Sequence, residues 1–300
     1  KESISSNTPS KEQIISQAIQ FHLKGNISEA GKYYQYLIHQ GLKDHRVFSN
    51  YGIILKNLGK FKEAELSQRK AIELNPDFAD AHSNLGVILK DLGKLVEAEL
   101  SLRKAIQLKP NLAVAQYNLG NILIELKRVD DAEIFIRKAL EIKPNFADAY
   151  SDLGAILLCN GSLKEAELAT RKAIKLNPND PKSYINLGSI FTGLGKLKEA
   201  EFSTRKAITI QPDFGNAHYN LGNILRDLGQ IEEAKESYQK SIEIEPTETQ
   251  RLSDLINTLS KLCMWDEIEK YSSYLNKLGI EGKAISPLLL MYIEDNPLNH

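Results

Sequence analysis

The sequence is poor in cysteine, tryptophan and methionine, and its opposite charges almost cancel. Its two cysteines, Cys159 and Cys263, are too few for a disulfide framework and lack CxxC spacing, which favours a reducing compartment, the cytoplasm. We interpret both as small buried hydrophobic residues rather than as nucleophiles. The formal net charge of -1 gives no overall attraction to nucleic acid or to an anionic membrane, although it is compatible with a local basic patch.

Long apolar runs are also missing, since no stretch approaches the roughly 20 residues that a bilayer-spanning helix needs. Residues 1–10 are polar and serine-rich and have no apolar signal-peptide core, so we expect a disordered tail there. The first residue is lysine instead of methionine, which suggests a piece of a longer protein.

The motifs of enzyme chemistry are absent as well. The sequence contains neither GxGxxG nor a GxxxxGK motif followed by Ser or Thr, so it predicts no phosphate-binding loop. No nucleophile, base and orienting group are found together, and the histidines, among them His82 and His218, lack metal-ligand spacing. We therefore expect no catalytic residue, no cofactor and no metal site.

What the sequence does contain is a 34-residue period of small residues and prolines, with apolar residues at helical spacing between them. Small residues let two antiparallel helices approach closely, and a proline ends the second helix of each pair. The three columns are Gly52, Gly86, Gly120, Gly154, Gly188 and Gly222; Ala64, Ala98, Ala132, Ala166, Ala200 and Ala234; and Pro76, Pro110, Pro144, Pro178, Pro212 and Pro246. Short connections place Gly59 and Gly93 where left-handed helix caps are expected.

These columns match the template of the tetratricopeptide repeat (TPR), and the chain is identified as a member of that repeat family. The family implies an all-α fold, a TPR α-solenoid in which antiparallel helix pairs form a right-handed superhelix. Six full units are expected at 45–78, 79–112, 113–146, 147–180, 181–214 and 215–248, after a degenerate unit at 11–44. A degenerate capping helix pair is expected at 249–279, with helices at 251–262 and 266–278, and a linker toward a further domain at 280–300.

A polar column precedes the signature glycines by two positions: Asn50, Asn84, Asn118, Asp152, Asn186 and Asn220. Because asparagine is a mediocre helix former, its recurrence at one helical position needs a reason. In a TPR superhelix this position faces the inner side, where each amide offers a donor and an acceptor to the backbone of an extended peptide. The alternative is that the amides bond neighbouring helices of the array.

A second inner-face column varies between repeats: Lys56, Lys90, Ile124, Leu158, Thr192 and Arg226. It predicts a groove that is basic near both ends and apolar between them, and we expect it to select the side chains of a partner. On the second helices, acids precede arginines by four residues, which favours a solvated outer face. These pairs are Glu65–Arg69, Glu99–Arg103, Glu133–Arg137, Glu167–Arg171 and Glu201–Arg205. No clear exposed apolar patch is evident, and the oligomeric state stays open.

The asparagine column and the residues after the last repeat resemble the superhelix of SPINDLY-like bacterial O-linked N-acetylglucosamine transferases. Residues 262–266 are similar to a Cys-Asp-Trp segment of that family, with Met264 in place of its aspartate. Residues 286–300 are similar to the stretch that leads into its glycosyltransferase domain. The resemblance implies that the asparagines hold the backbone of protein substrates, and Asp152 departs from that pattern. Catalytic residues of the family have no counterpart in this sequence.

We therefore expect a scaffold that binds a protein or peptide in extended conformation, as the substrate-recruiting arm of a protein O-glycosyltransferase. A free-standing TPR adaptor for protein assembly and the arm of an unrelated enzyme are the alternatives. The predicted peptide-binding residues are the polar column (Asn50, Asn84, Asn118, Asp152, Asn186 and Asn220) with Lys56, Lys90 and Arg226. Neither nucleic acid nor a membrane is expected as a partner.

Overall fold

The computed structural model describes residues 10–246, 249–264, 266–268 and 271, and all regular structure among them is helical. The helices are α1 (Lys11–Leu23), α2 (Ile27–His39), α3 (His45–Asn57), α4 (Phe61–Leu74), α5 (Ala79–Asp91), α6 (Leu95–Leu108), α7 (Ala113–Glu125), α8 (Val129–Ile142), α9 (Ala147–Cys159), α10 (Leu163–Leu176), α11 (Pro181–Gly193), α12 (Leu197–Ile210), α13 (Gly215–Asp227), α14 (Ile231–Ile244) and α15 (Thr249–Lys261). Among the described helices, none has the length and apolarity that a bilayer crossing requires. The all-α prediction is confirmed.

Consecutive helices form pairs, from α1 with α2 to α13 with α14, and the pairs stack within two compact units. The first unit, residues 1–145, contains α1–α8, and the second unit, residues 146–300, contains α9–α15. Within each unit, the first helix of a pair packs against the second helix of the preceding pair. Stacked helix pairs are the architecture that the 34-residue period predicts.

The tightest contact within a pair lies at the signature glycine of its first helix. A Cβ atom added to Gly86 would lie 2.6 Å from Cγ of Leu102 and 3.2 Å from the carbonyl oxygen of Ala98. The predicted alanine therefore contributes its backbone, and the side chain that fills the gap comes one helical turn later. That side chain is fully buried in every full repeat: Gln68, Leu102, Ile136, Thr170, Thr204 and Tyr238.

Left-handed residues join the two helices of each pair. Gly59 and Gly93 both have a φ of 74°, which confirms the predicted helix caps. Lys127 (φ 63°) and Cys263 (φ 53°) occupy the same column of their repeats without being glycine. A left-handed conformation costs a residue with a Cβ atom roughly 1–2 kcal/mol. The backbone thus keeps the left-handed turn even in the two repeats that have no glycine at this position.

The interpretation of the two cysteines as buried residues is wrong. Cys159 is the last residue of α9, and Cys263 lies in the left-handed turn after α15; both are exposed. Their places at helix ends turn the thiols away from the contact between paired helices.

A buried arginine fixes α15 to the last full repeat. Arg251 is only 4% exposed, and its Nη2 donates to Asn216 Oδ1 and to Glu245 Oε2, each at 2.6 Å. Its guanidinium also packs over the ring of Tyr219, 5.8 Å from the ring centre. On the adjoining face, α15 buries Leu252, Leu255, Ile256 and Leu259 in one apolar cluster. This helix covers the last full repeat, which is the place expected for the first helix of the predicted capping pair.

Several predictions concern residues that lie outside the described ranges. They are the tail at 1–9, most of the predicted second capping helix at 266–278, Trp265, and the segment 280–300. Ser10, the last residue of the predicted tail, is described and caps α1 by accepting from the backbone N–H of Gln13 at 3.2 Å.

Replacing Gly86 with alanine is expected to lower the free energy of unfolding by about 1–3 kcal/mol, because the new methyl group overlaps Leu102 in a filled contact. Gly31 provides a matched control in α2, since a Cβ there would meet Ile54 at an ordinary 3.5 Å. Gly31→Ala is expected to stabilise the chain by about 0.5–1 kcal/mol through helix propensity. Urea unfolding followed by circular dichroism measures both, and an equal effect of the two changes would contradict the packing explanation.

Candidate peptide-binding face

The first helices of each unit share one surface, which we call the inner face. In the first unit α3 contacts α5 and α5 contacts α7, and in the second unit α9 contacts α11 and α11 contacts α13. Among the described residues, second helices of neighbouring repeats approach each other less closely. The first helices therefore lie on the inner side of each stack, where the sequence predicts the polar column.

In the first unit, the polar column consists of Asn50, Asn84 and Asn118, all half-buried. The Nδ2 of Asn84 donates to Ser49 Oγ on the preceding first helix at 3.2 Å. Asn50 lies beside the hydroxyl of Tyr34, and burial raises the pKa of that hydroxyl to about 12. The side chain of Asn118 makes no hydrogen bond within the described part of the chain. The alternative role, bonding between neighbouring helices, is thus realised at Asn84.

The second unit continues the column with Asp152, Asn186 and Asn220, again half-buried. The Nδ2 of Asn186 donates to the backbone oxygen of Ser151 at 3.0 Å, and that of Asn220 approaches Ser189 Oγ at 3.5 Å. Both amides use their nitrogen toward the preceding first helix and leave Oδ1 without a donor among the described residues.

Asp254 adds one more member to the column, 34 residues after Asn220. Its Oδ2 accepts from the hydroxyl of Tyr219 on the preceding first helix at 2.7 Å. Sequence reasoning missed it because the signature glycine is absent from this degenerate repeat, where Ile256 takes its place. The spacing alone was the available signal.

The three cations predicted to make the groove basic are each paired with an acid of the following repeat. Lys56 lies 3.6 Å from Asp91 and Lys90 lies 2.9 Å from Glu125 in the first unit. In the second unit, Arg226 lies 3.8 Å from Asp254. The positive charge expected of this column is therefore balanced, because the sequence prediction left out the acids beside it.

The remaining members of the variable column are apolar or weakly polar. Ile124 in the first unit and Leu158 in the second are half-buried, so part of each side chain faces solvent. Thr192 donates its hydroxyl to the backbone oxygen of Gly188 at 3.0 Å, which satisfies it within its own helix.

The histidines singled out in the sequence contact the prolines that close the repeats. Nε2 of His82 lies 2.9 Å from the carbonyl oxygen of Pro76, and His218 contacts Pro212 at the same distance. Gln116 donates to Pro110 in the equivalent place at 3.1 Å. Throughout the described ranges, no three His, Cys, Asp or Glu side chains are grouped to hold a metal.

The opposite surface, formed by the second helices, is called the outer face. All five predicted Glu–Arg pairs form there, at 2.7–2.9 Å. Further pairs connect neighbouring repeats, such as Arg69 with Glu97 at 3.0 Å and Lys94 with Glu65 at 2.9 Å. The predicted pairs are therefore present, with partly exposed arginines and with glutamates whose side chains are largely covered.

Comparison with known proteins identifies the repeat. Models of the tetratricopeptide repeat match residues 89–157, 169–202 and 215–248, and a TPR repeat model matches residues 52–93. No curated protein matches the chain.

Solved structures with the same fold include a chain of the APC/C hetero-tetramer Cut9–Hcn1, with a TM-score of 0.73 at 16% identity. That match covers 85% of this chain and 50% of the other, so this chain spans half the length of that relative. PilF from Pseudomonas aeruginosa follows with a TM-score of 0.61, 21% identity and coverage of 72% and 95%. YrrB, a TPR protein with an unusual peptide-binding site, has a TM-score of 0.51, 24% identity and coverage of 61% and 95%. At these identities the likeness establishes the fold, a TPR solenoid.

Replacing Asn84 with alanine is expected to lower the free energy of unfolding by about 0.5–1.5 kcal/mol, because the hydrogen bond to Ser49 is lost. Asn118→Ala is the matched control at the same repeat position, and it is expected to leave stability unchanged or slightly raised, since alanine is the better helix former. Urea unfolding of the two variants tests this. Equal losses in both would show that the Asn84–Ser49 bond adds no stability.

Proposed function

We propose that this TPR solenoid is a protein-binding scaffold that holds partner segments in extended conformation along its inner face. The observation that carries the proposal is the polar column on the first helices, which form the inner side of each stack. Five of the six full repeats have an amide at this position and the remaining one has Asp152, and all six side chains are only half-buried.

The column presents acceptors more than donors. The Nδ2 groups of Asn84 and Asn186 are held by the preceding helix, while their Oδ1 atoms accept no hydrogen bond among the described residues. None of these oxygens is buried, so solvent reaches them. An extended peptide carries unpaired backbone N–H groups at regular spacing. These N–H groups can donate hydrogen bonds to such a row of fixed oxygens.

The charges and apolar residues of the inner face favour an extended segment over a docked helix. A helix binds through a continuous apolar groove, which receives its anchors at helical spacing. Here half-buried Ile53 and Val87 alternate along the first unit with amides and with the Lys56–Asp91 and Lys90–Glu125 ion pairs. The peptide-binding site named for YrrB supports a peptide ligand for this fold.

A finer form of the proposal makes the array the substrate-recruiting arm of a protein O-glycosyltransferase. Its support is the resemblance of the asparagine column and of residues 262–266 and 286–300 to SPINDLY-like enzymes. Reading the gene beyond the codon for His300 tests it: a glycosyltransferase domain supports this form, and a stop codon excludes it.

Backbone methylation separates binding through the amide oxygens from binding through side chains. Peptides selected for binding from a random library are resynthesised with N-methylated backbone amides, which keep every side chain and remove N–H donors. We expect methylation at alternate positions to weaken binding, measured by fluorescence polarisation. Asn118→Ala should weaken the unmethylated peptide about 2- to 12-fold, which corresponds to one hydrogen bond.

Two controls keep this test independent of folding. The side chain of Asn118 makes no hydrogen bond in the described structure, so its replacement is expected to leave the stack intact. Lys104→Ala changes the outer face and should leave affinity unchanged. Full affinity of the methylated peptides would overturn the proposal.

A further inference from the structure

A second amide follows the polar column in α7 of the first unit. Asn121 lies one helical turn after Asn118, so both side chains belong to the inner face, and Asn121 is half-buried. The Oδ1 atom of Asn121 is buried and accepts no hydrogen bond among the described residues. A buried acceptor without a donor costs free energy, so this oxygen needs an explanation.

The same repeat position in α13 shows how the chain can satisfy such an amide internally. Oδ1 of Asn223 accepts from the hydroxyl of Tyr238 at 2.8 Å. In the repeat of Asn121, Ile136 takes the place of that tyrosine, and each of these two side chains packs against the signature glycine of its own repeat. Because isoleucine has no proton to donate, Asn121 lacks the internal donor that Asn223 has.

The nitrogen of the Asn121 amide has no partner either. Its Nδ2 makes no hydrogen bond within the described part of the chain and, unlike Oδ1, is not buried. By contrast, the Nδ2 atoms of Asn84 and Asn186 are held by the preceding first helix. Asn121 therefore offers a ligand both a donor and an acceptor.

The surroundings of Asn121 favour a neutral ligand group. Val87 on the neighbouring helix α5 and Ile124, one turn after Asn121, are apolar and half-buried. Lys90 and Glu125 at this end of the face are paired with each other at 2.9 Å. A carboxylate has no proton to donate to Oδ1, and an ammonium group accepts none from Nδ2. A carboxamide does both.

We propose that Asn121 is a specificity-determining residue that binds the side-chain carboxamide of a glutamine or asparagine in the extended partner. The ligand amide donates one N–H to Oδ1 and accepts from Nδ2, as two primary amides pair with each other. A rotation about χ2, which is a broad torsion in asparagine, brings both atoms to the ligand.

The inference rests on the proposed function, because a backbone held by the polar column places the side chain over Asn121. An extended backbone runs across the inner face, and its side chains project alternately to its two sides. A side chain that projects toward α7 reaches below the surface, where Oδ1 of Asn121 lies. The backbone amides stay above it.

Selection of peptides from a random library on the wild-type chain tests the ligand class. We expect glutamine or asparagine to be enriched at one position of the selected peptides. Replacing that residue in the peptide, glutamine with methionine or asparagine with leucine, is expected to weaken binding about 5- to 150-fold, which corresponds to two hydrogen bonds. Fluorescence polarisation measures the change, and a selection without such enrichment would overturn the inference.

Variants of the chain separate recognition from folding. Asn121→Leu keeps the size of the side chain and removes both hydrogen-bonding atoms, so the glutamine and methionine peptides are expected to bind it within about twofold of each other. Ile136→Tyr supplies the donor that Tyr238 supplies to Asn223, and it is expected to reduce the preference from beneath the surface. Asn257→Leu is the matched control at the same repeat position in α15, where the side chain is exposed, and it should retain the full preference.

Failure of this inference is distinguishable from failure of the proposed function. If Asn121→Leu keeps the preference for the carboxamide, solvent satisfies the amide and the inference is wrong, while a loss of affinity on N-methylation still supports backbone binding. Full affinity of N-methylated peptides would remove the backbone contact on which both depend. Circular dichroism establishes equal helix content of the variants, and if Ile136→Tyr does not fold, Asn121→Leu alone decides.

Discussion

The close approach of paired helices at the signature glycine is the constraint on which the rest of each repeat depends. The facing side chain ranges from threonine to tyrosine, yet it is fully buried in every full repeat. Glycine therefore lets the two helix backbones approach closely whichever side chain faces it. A methyl group at the glycine position has no room there. The first pair has Ala18 at this place and buries Tyr34 opposite, whose hydroxyl has no hydrogen-bond partner among the described residues. The degenerate repeat thus keeps the burial but leaves a polar atom unsatisfied.

Features confined to one repeat were predictable from the sequence. The helix pairs, the left-handed caps at Gly59 and Gly93, and the Glu–Arg pairs all depend on separations of a few residues, which local geometry fixes. Features between repeats were harder to predict. The partner of Lys56 is Asp91 on the next first helix, and only the stacked structure brings these two residues together. Leu100 is 64% exposed, which the sequence did not indicate because its apolar spacing within α6 resembles that of a core position.

The two roles weighed for the asparagine column use different atoms of the same amide. Asn84 and Asn186 bond the preceding helix through nitrogen, which orients each side chain and lowers the entropy that a ligand contact would cost. The oxygen is then held toward the inner face. Asp254 likewise uses one atom for a bond to the preceding helix, since one oxygen of its carboxylate accepts from the hydroxyl of Tyr219. A stabilising bond at this column is therefore compatible with the proposed peptide binding, because it uses the nitrogen and leaves the oxygen without a partner among the described residues.

The ion pairs of the inner face restrict which partners this acceptor row suits. An acidic side chain of a peptide competes with Asp91 for Lys56 and with Glu125 for Lys90, and a basic one competes with the lysines for those acids. Either exchange replaces one half-exposed ion pair with another, so it adds little free energy. Contacts with backbone N–H groups involve no such exchange, because the amide oxygens have no partner to give up among the described residues. Under the proposed function, the inner face of each unit consequently favours the peptide backbone and uncharged side chains over strongly charged segments.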